Sequence, residues 1–156
     1  MSDTATTELK KRIDTIESGY ELFLGYAAKG QRADPNTGGE LRRCIEEMDT
    51  ALDGLPAFLA SLVRERKLEP VAPYDTFFDV VEGDVRRACS ALRLVLAQPG
   101  ISSQVIDNLN GSIHLRAVLT DLFLIDEILR PRASEAIPAV APAGRESPPA
   151  DAPSKS

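Results

Sequence analysis

The chain has 156 residues, with 18 Lys and Arg against 24 Asp and Glu, a formal net charge of −6, 43% hydrophobic residues and 5% aromatics. That composition fits one domain of ordinary size, with a core large enough to close without disulfides or metal. The acidic balance excludes a general nucleic-acid coat, which needs a basic face. No stretch reaches the ~18 uninterrupted apolar residues of a membrane-spanning helix, and the first eleven residues carry no apolar leader core. Cys44 and Cys89 stand far apart in the sequence, so neither a CxxC redox pair nor a zinc site is expected. Isolated thiols suit a reducing compartment, and the expectation is a cytoplasmic protein.

The first segment carries Leu9, Ile13, Ile16, Tyr20, Phe23 and Ala27 at alternating spacings of four and three, the pattern that keeps one helix face turned to a neighbour. It ends near Gly30. A turn-rich loop follows to Gly39, where Asp34-Pro35-Asn36 and Gly38-Gly39 supply angles a helix does not adopt. Thr37, with Glu40 three residues on, reads as a capping box for a second helix. This helix runs through Leu41, Ile45, Met48, Leu52, Leu55, Leu59 and Leu62, with a kink or short break at Gly54-Leu55-Pro56, because proline lacks an amide and its ring clashes with the preceding turn.

A third helix opens at about Pro73, carries Tyr74, Phe78, Val81, Val85, Ala88, Leu92 and Val95 at the same spacing, and stops at Pro99-Gly100. The fourth begins near Ser102, with Ile101 and Ile106 placed to form a hydrophobic staple. Asn108, Asn110 and Gly111 are poor helix formers, and a kink or break near residue 110 is expected. Beyond it the helix carries two apolar stripes. One is Leu115, Val118, Leu122, Ile125 and Leu129, and the other is Ile113, Ala117, Leu124 and Ile128, with Leu119 and Phe123 besides. One bundle core cannot use all of that surface.

These segments predict an all-α fold, an up-down antiparallel four-helix bundle over residues 1–131. From residue 132 to 156 the apolar periodicity stops, and five prolines accompany three basic and three acidic residues. This composition predicts a disordered Pro/Ala-rich tail.

Chemistry-bearing patterns are sparse. A carboxylate-bridged metal site in a bundle needs paired Glu-x-x-His motifs, whereas the residue three before His114, the single histidine, is Gly111. No metal and no cofactor are expected, and no catalytic residue is assigned. The basic groups Lys10-Lys11-Arg12, Arg42-Arg43, Arg64/Arg66/Lys67 and Arg86-Arg87 are interleaved with acids and read as solvated faces.

Absence of a catalytic set, together with the surplus apolar surface on the fourth helix, predicts a non-enzymatic interaction protein: an adaptor, accessory subunit or dedicated chaperone. Its partner-binding face is assigned to Leu119, Phe123 and Ile128, with a protein partner, expected homodimerisation, and neither nucleic acid nor membrane as ligand. Two alternatives are carried. In one, His114, with Arg116 two residues on, accepts phosphate as a ring-nitrogen nucleophile. In the other, Tyr20, Phe23, Tyr74, Phe77 and Phe78 from the first and third helices line one layer of the bundle and hold a small ligand or cofactor.

Overall fold

The structure, a computed structural model, describes residues 2–36 and 38–130. All regular structure among them is α-helical, in six helices: α1 (Ser2–Ala28), α2 (Gly39–Leu52), α3 (Leu55–Glu65), α4 (Val71–Leu96), α5 (Ser103–Gly111) and α6 (His114–Leu129). The all-α prediction holds, with two of the four predicted segments each divided in two. Thr37 of the predicted capping box and the predicted tail, 132–156, lie outside the described residues.

Each helix end has a local cause. Gly30 takes a left-handed φ of 65° just past α1, a conformation open to glycine at little cost. Gly38, rather than Thr37, is the N-cap of α2, also left-handed at φ 87°. At the second break Gly54 turns left-handed, φ 67°, and Pro56 falls in the first turn of α3, where its missing amide has no intrahelical partner to lose. The chain therefore breaks cleanly at Gly54 instead of kinking at the proline. Ser102 caps α5 by accepting the Val105 amide at 3.1 Å, while Ile101 and Ile106 are both buried.

The break between α5 and α6 turns on Ile113 itself, with φ 63° and ψ −1° and 60% of the residue exposed. An L-residue in this region costs about 1–2 kcal/mol, and β-branching makes it worse. Beside it, the Asn110 amide has both its nitrogen and its oxygen buried without a hydrogen-bond partner. Ile113→Gly is expected to raise stability by roughly 0.5–1 kcal/mol, since little apolar burial is lost and glycine's extra unfolded-state freedom offsets only part of the relieved strain. A lower urea midpoint for Ile113→Gly would contradict this.

Helix α1 packs against α2, α5 and α6, and α4 packs against α2, α3 and α6. One continuous core results, drawn from all six helices and centred on Ile16, Phe23, Ile45, Met48, Leu52, Leu59, Leu92, Ile106 and Leu122. Helices α1 and α2 approach so closely that a side chain on Gly19 would run into the Met48 thioether. The two ends of the molecule are tied by polar contacts. At one end the Tyr26 hydroxyl donates to the Ile101 carbonyl at 2.6 Å, and buried Ser103 donates to the Tyr26 carbonyl while accepting the Gln31 amide. At the other, Arg66 donates to the Leu129 carbonyl and, at 2.7 Å, to the Thr6 hydroxyl. Arg66 lies five residues before α4 begins, so the end of α6 lies beside the start of α4 and the two helices run antiparallel.

Three arginines whose sequence context predicts solvated faces are instead turned onto the C-termini of neighbouring helices. Arg12 donates to the Ala51 and Asp53 carbonyls at the end of α2, and Arg42 to the Leu96 and Gln98 carbonyls at the end of α4. Arg66 does the same at the end of α6. The last carbonyls of a helix lack internal partners and carry partial negative charge. Neither α2 nor α6 has a basic residue in its own last turn, so the complementary charge comes from another helix.

Candidate docking groove between α4 and α6

With 3.6 residues per turn, each helical residue advances about 100° around the axis. On α6 the buried residues Leu115, Val118, Leu122, Ile125 and Leu129 fix the core direction. Ala117, Asp121, Leu124 and Ile128 then fall together on one flank, and Phe123 on the other. Leu124 is 53% exposed and Ile128 42%. On α4 the core residues Phe78, Val81, Val85, Ala88 and Leu92 leave Phe77, Val80, Asp84 and Ala91 on one flank, where Val80 is 51% exposed. The opposite flank of α4, with Asp75, Asp79, Glu82, Arg86 and Arg93, borders a groove of about 570 Å³ shared with the α2–α3 break.

Asp84 and Asp121 join the two apolar flanks. The Asp84 carboxyl acts on that of Asp121 from the neighbouring helix, and two nearby carboxyls disfavour each other's ionisation. Burial and the neighbouring Asp84 push Asp121 from its usual 3.8 up to about 7. Its Oδ2 is buried with no hydrogen-bond donor, while Asp84 also accepts from Arg87 Nη1 at 3.3 Å. Because α4 and α6 are antiparallel, Val80 and Phe77 on one helix run alongside Leu124 and Ile128 on the other, starting from the acid pair. Ala91 and Ala117 continue the seam in the opposite direction. The result is a seam about 21 Å long from Phe77 to Ala91, in which Val80, Leu124 and Ile128 are exposed while Phe77, Ala91, Ala117 and the two aspartates are half-buried.

The predicted partner-binding residues do not share one face. Leu119 is buried in the core at 6% exposure, a correction to its assignment as surface. Phe123 is 47% exposed but borders the groove between α1 and α6, beside Leu9, Lys10 and Ile13. Five residues separate it from Ile128, a rotation of about 140°. Ile128 is the one of the three on the α4–α6 seam. Sequence reasoning misses Val80, Leu124, Asp84 and Asp121 as site residues, although the second stripe of Ala117, Leu124 and Ile128 is visible in the sequence and Asp121 completes its spacing.

The predicted aromatic layer does not form either. Phe23 is fully buried and Tyr20 half-buried, both in the part of α1 that leads to the Tyr26–Ile101 contact. Tyr74 and Phe77 flank buried Phe78, with ring centroids 6.4 Å apart in each pair, in the part of α4 that follows Arg66. The two groups occupy opposite ends of the molecule. His114, the first residue of α6, is half-buried.

Both thiols are held protonated. Burial, then Glu47 and Glu40, push Cys44 up to about 11, and burial with Asp49 does the same to Cys89, far from the thiolate a nucleophile needs. Among the described residues no group of three or more His, Cys, Asp or Glu is placed to hold a metal ion, and no helix is long and apolar enough to cross a membrane. The chain matches no family model, and no curated protein or solved structure was found to be similar to it.

Proposed function

We propose that this chain is a non-enzymatic interaction module, an adaptor or accessory subunit that docks a partner protein in the α4–α6 seam. In this reading the six helices are four antiparallel rods, the second and fourth broken at Gly54 and Ile113, and the rods close their own core. The observation that carries it is the seam itself: Val80, Leu124 and Ile128 remain 42–53% exposed on adjoining flanks while the core stripes of the same helices are buried. Scattered exposed leucines are ordinary, but an apolar surface that runs along two neighbouring helices marks a place where another molecule sits.

Affinity capture from the native host, comparing the full chain with its Leu124→Asp/Ile128→Asp variant, tests this. A stoichiometric protein partner is expected on the unaltered chain and not on the variant, whose helical circular dichroism is expected to be unchanged because both positions are solvent-exposed. If both chains come down alone, or both hold the same partner equally, the docking reading fails.

A further inference from the structure

We infer that Asn110–Gly111 is a self-modification site, where the side chain of Asn110 converts slowly to aspartate and isoaspartate and the new charge unlocks the break between α5 and α6. This is independent of the docking reading.

The residue types supply the reaction. Where a residue without a side chain follows asparagine, the next backbone nitrogen can reach the side-chain amide carbon, and closing a ring within one chain needs no meeting of two molecules. The Gly111 nitrogen attacks Asn110 Cγ. The new N–Cγ bond forms as the Cγ–Nδ2 bond breaks, and the proton lost from Gly111 leaves with the side-chain nitrogen as ammonia. Water then opens the cyclic imide at either carbonyl. One opening gives aspartate, and the other gives isoaspartate, in which the main chain runs through the former side-chain carbonyl. Asn108 lies in the same helix but precedes Leu109, whose side chain obstructs the same approach.

The surroundings decide whether the reaction runs. While α5 is intact, its hydrogen bonding and helical angles keep the Gly111 nitrogen from Cγ. Three observations show that this hold is weak. Asn110 is the penultimate residue of α5, where helices fray. Its Nδ2 and Oδ1 are both buried without a hydrogen-bond partner, so opening gives each of them water and breaks no bond of theirs. Ile113, three residues on, is left-handed at φ 63°, and opening relieves it. Gly111 itself is exposed, with open space where a side chain would stand, so nothing resists the rearrangement. Opening such a segment costs less than unfolding the whole chain.

The product does not fit the closed break. Its carboxylate would stand where both amide atoms are now buried, with no donor to meet it, and an unpaired charge there is costlier than a neutral amide. Asp107, one turn back on the same helix, adds a like charge. Once the reaction has occurred, the closed junction is disfavoured.

The test incubates the full chain at neutral pH beside the same chain in urea, where the reaction is unhindered. The tryptic peptide spanning residues 94–116 is followed by mass spectrometry for an amide exchanged for an acid, and isoaspartate is read by enzymatic methylation. Conversion at Asn110 is expected in the folded chain while Asn108 stays intact. Ile113→Gly, which removes the strain that opening relieves, should slow conversion roughly two- to fivefold, the factor that matches its expected gain in stability. Arg12→Ala, which loosens the α2–α3 break, should leave the rate nearly unchanged, because local opening suffices. Asn110→Asp, made directly, should exchange its amide hydrogens faster over residues 106–118 than the unaltered chain. An Asn110 still intact in the folded chain after the urea control has converted would overturn the inference. So would a rate indifferent to Ile113→Gly, a rate that rises with Arg12→Ala as global stability falls, or unchanged hydrogen exchange in Asn110→Asp.

Discussion

Arg12→Ala is expected to destabilise the protein by about 3 kcal/mol, a large effect for a residue in a basic cluster near the chain start. The Arg12 side chain is only 21% exposed. Its guanidinium donates to the Asp53 carbonyl at 2.7 Å and the Ala51 carbonyl at 3.3 Å, pairs with Glu8 at 3.2 Å and lies 5.1 Å from the centre of the Phe58 ring. It thus holds α1 to both sides of the break between α2 and α3. Hydrogen bonds from a charged donor contribute about 1.5–3 kcal/mol together, stacking on the ring about 0.5–1 kcal/mol, and the buried stem adds packing. The exposed Glu8 pair adds little. Arg12→Lys should recover less than half of the loss, because one ammonium does not reproduce the planar fork that reaches two carbonyls and lies against a ring. Urea unfolding reads this as a lower midpoint at constant slope, and a loss below about 0.5 kcal/mol for Arg12→Ala would contradict the clamp.

Burial of Asp121, with Asp84 beside it, is expected to make stability fall as pH rises, the reverse of an ordinary salt-bridged carboxylate. Asp121 binds its proton more tightly in the folded chain, where it titrates at about 7, than at its usual 3.8. Its contribution is therefore fully present below about pH 4 and declines as pH rises through about 7. Arg87, which pairs with Asp84, moderates the repulsion between the ionised groups, and solvent reaches the pair and screens it. Between about pH 5 and pH 8 the melting temperature is expected to drop by about 4 °C, the shift that ~1 kcal/mol produces in a chain of this size. Asp121→Asn, neutral throughout and able to donate to Asp84, should remove the decline and melt higher than the unaltered chain at high pH. If the decline survives in Asp121→Asn, the pair is not its cause.

Much of the fold is legible in the sequence because helix spacing is a local signal. Leu9 through Ala27, Leu41 through Leu62 and Phe78 through Val95 mark their helices by periodicity alone, and Gly54 and Ser102 mark ends by their backbone chemistry. The turn at Ile113 is not legible, since no propensity assigns a left-handed conformation to isoleucine. It follows from tertiary demand: α5 packs on α1 while α6 packs chiefly on α4, and the chain must change direction between them. The roles of Arg12, Arg42 and Arg66 are hidden for a similar reason, because each caps a helix far away in sequence. The second apolar stripe of α6 is visible, yet grouping Leu119, Phe123 and Ile128 mixes a core residue with two opposite flanks. Only the direction of the core separates those flanks, and the core direction comes from the neighbours. The acid pair is invisible in sequence because its two members come from different helices.

Hydrogen–deuterium exchange of the full chain, alone and with its captured partner, locates the docking surface. Slower exchange on binding is expected in two segments, residues 77–91 of α4 and 117–128 of α6, with the α1–α5 face around Leu24 and Val105 unchanged. Protection confined to that other face, or none in α4 and α6, would contradict a docking seam between these two helices.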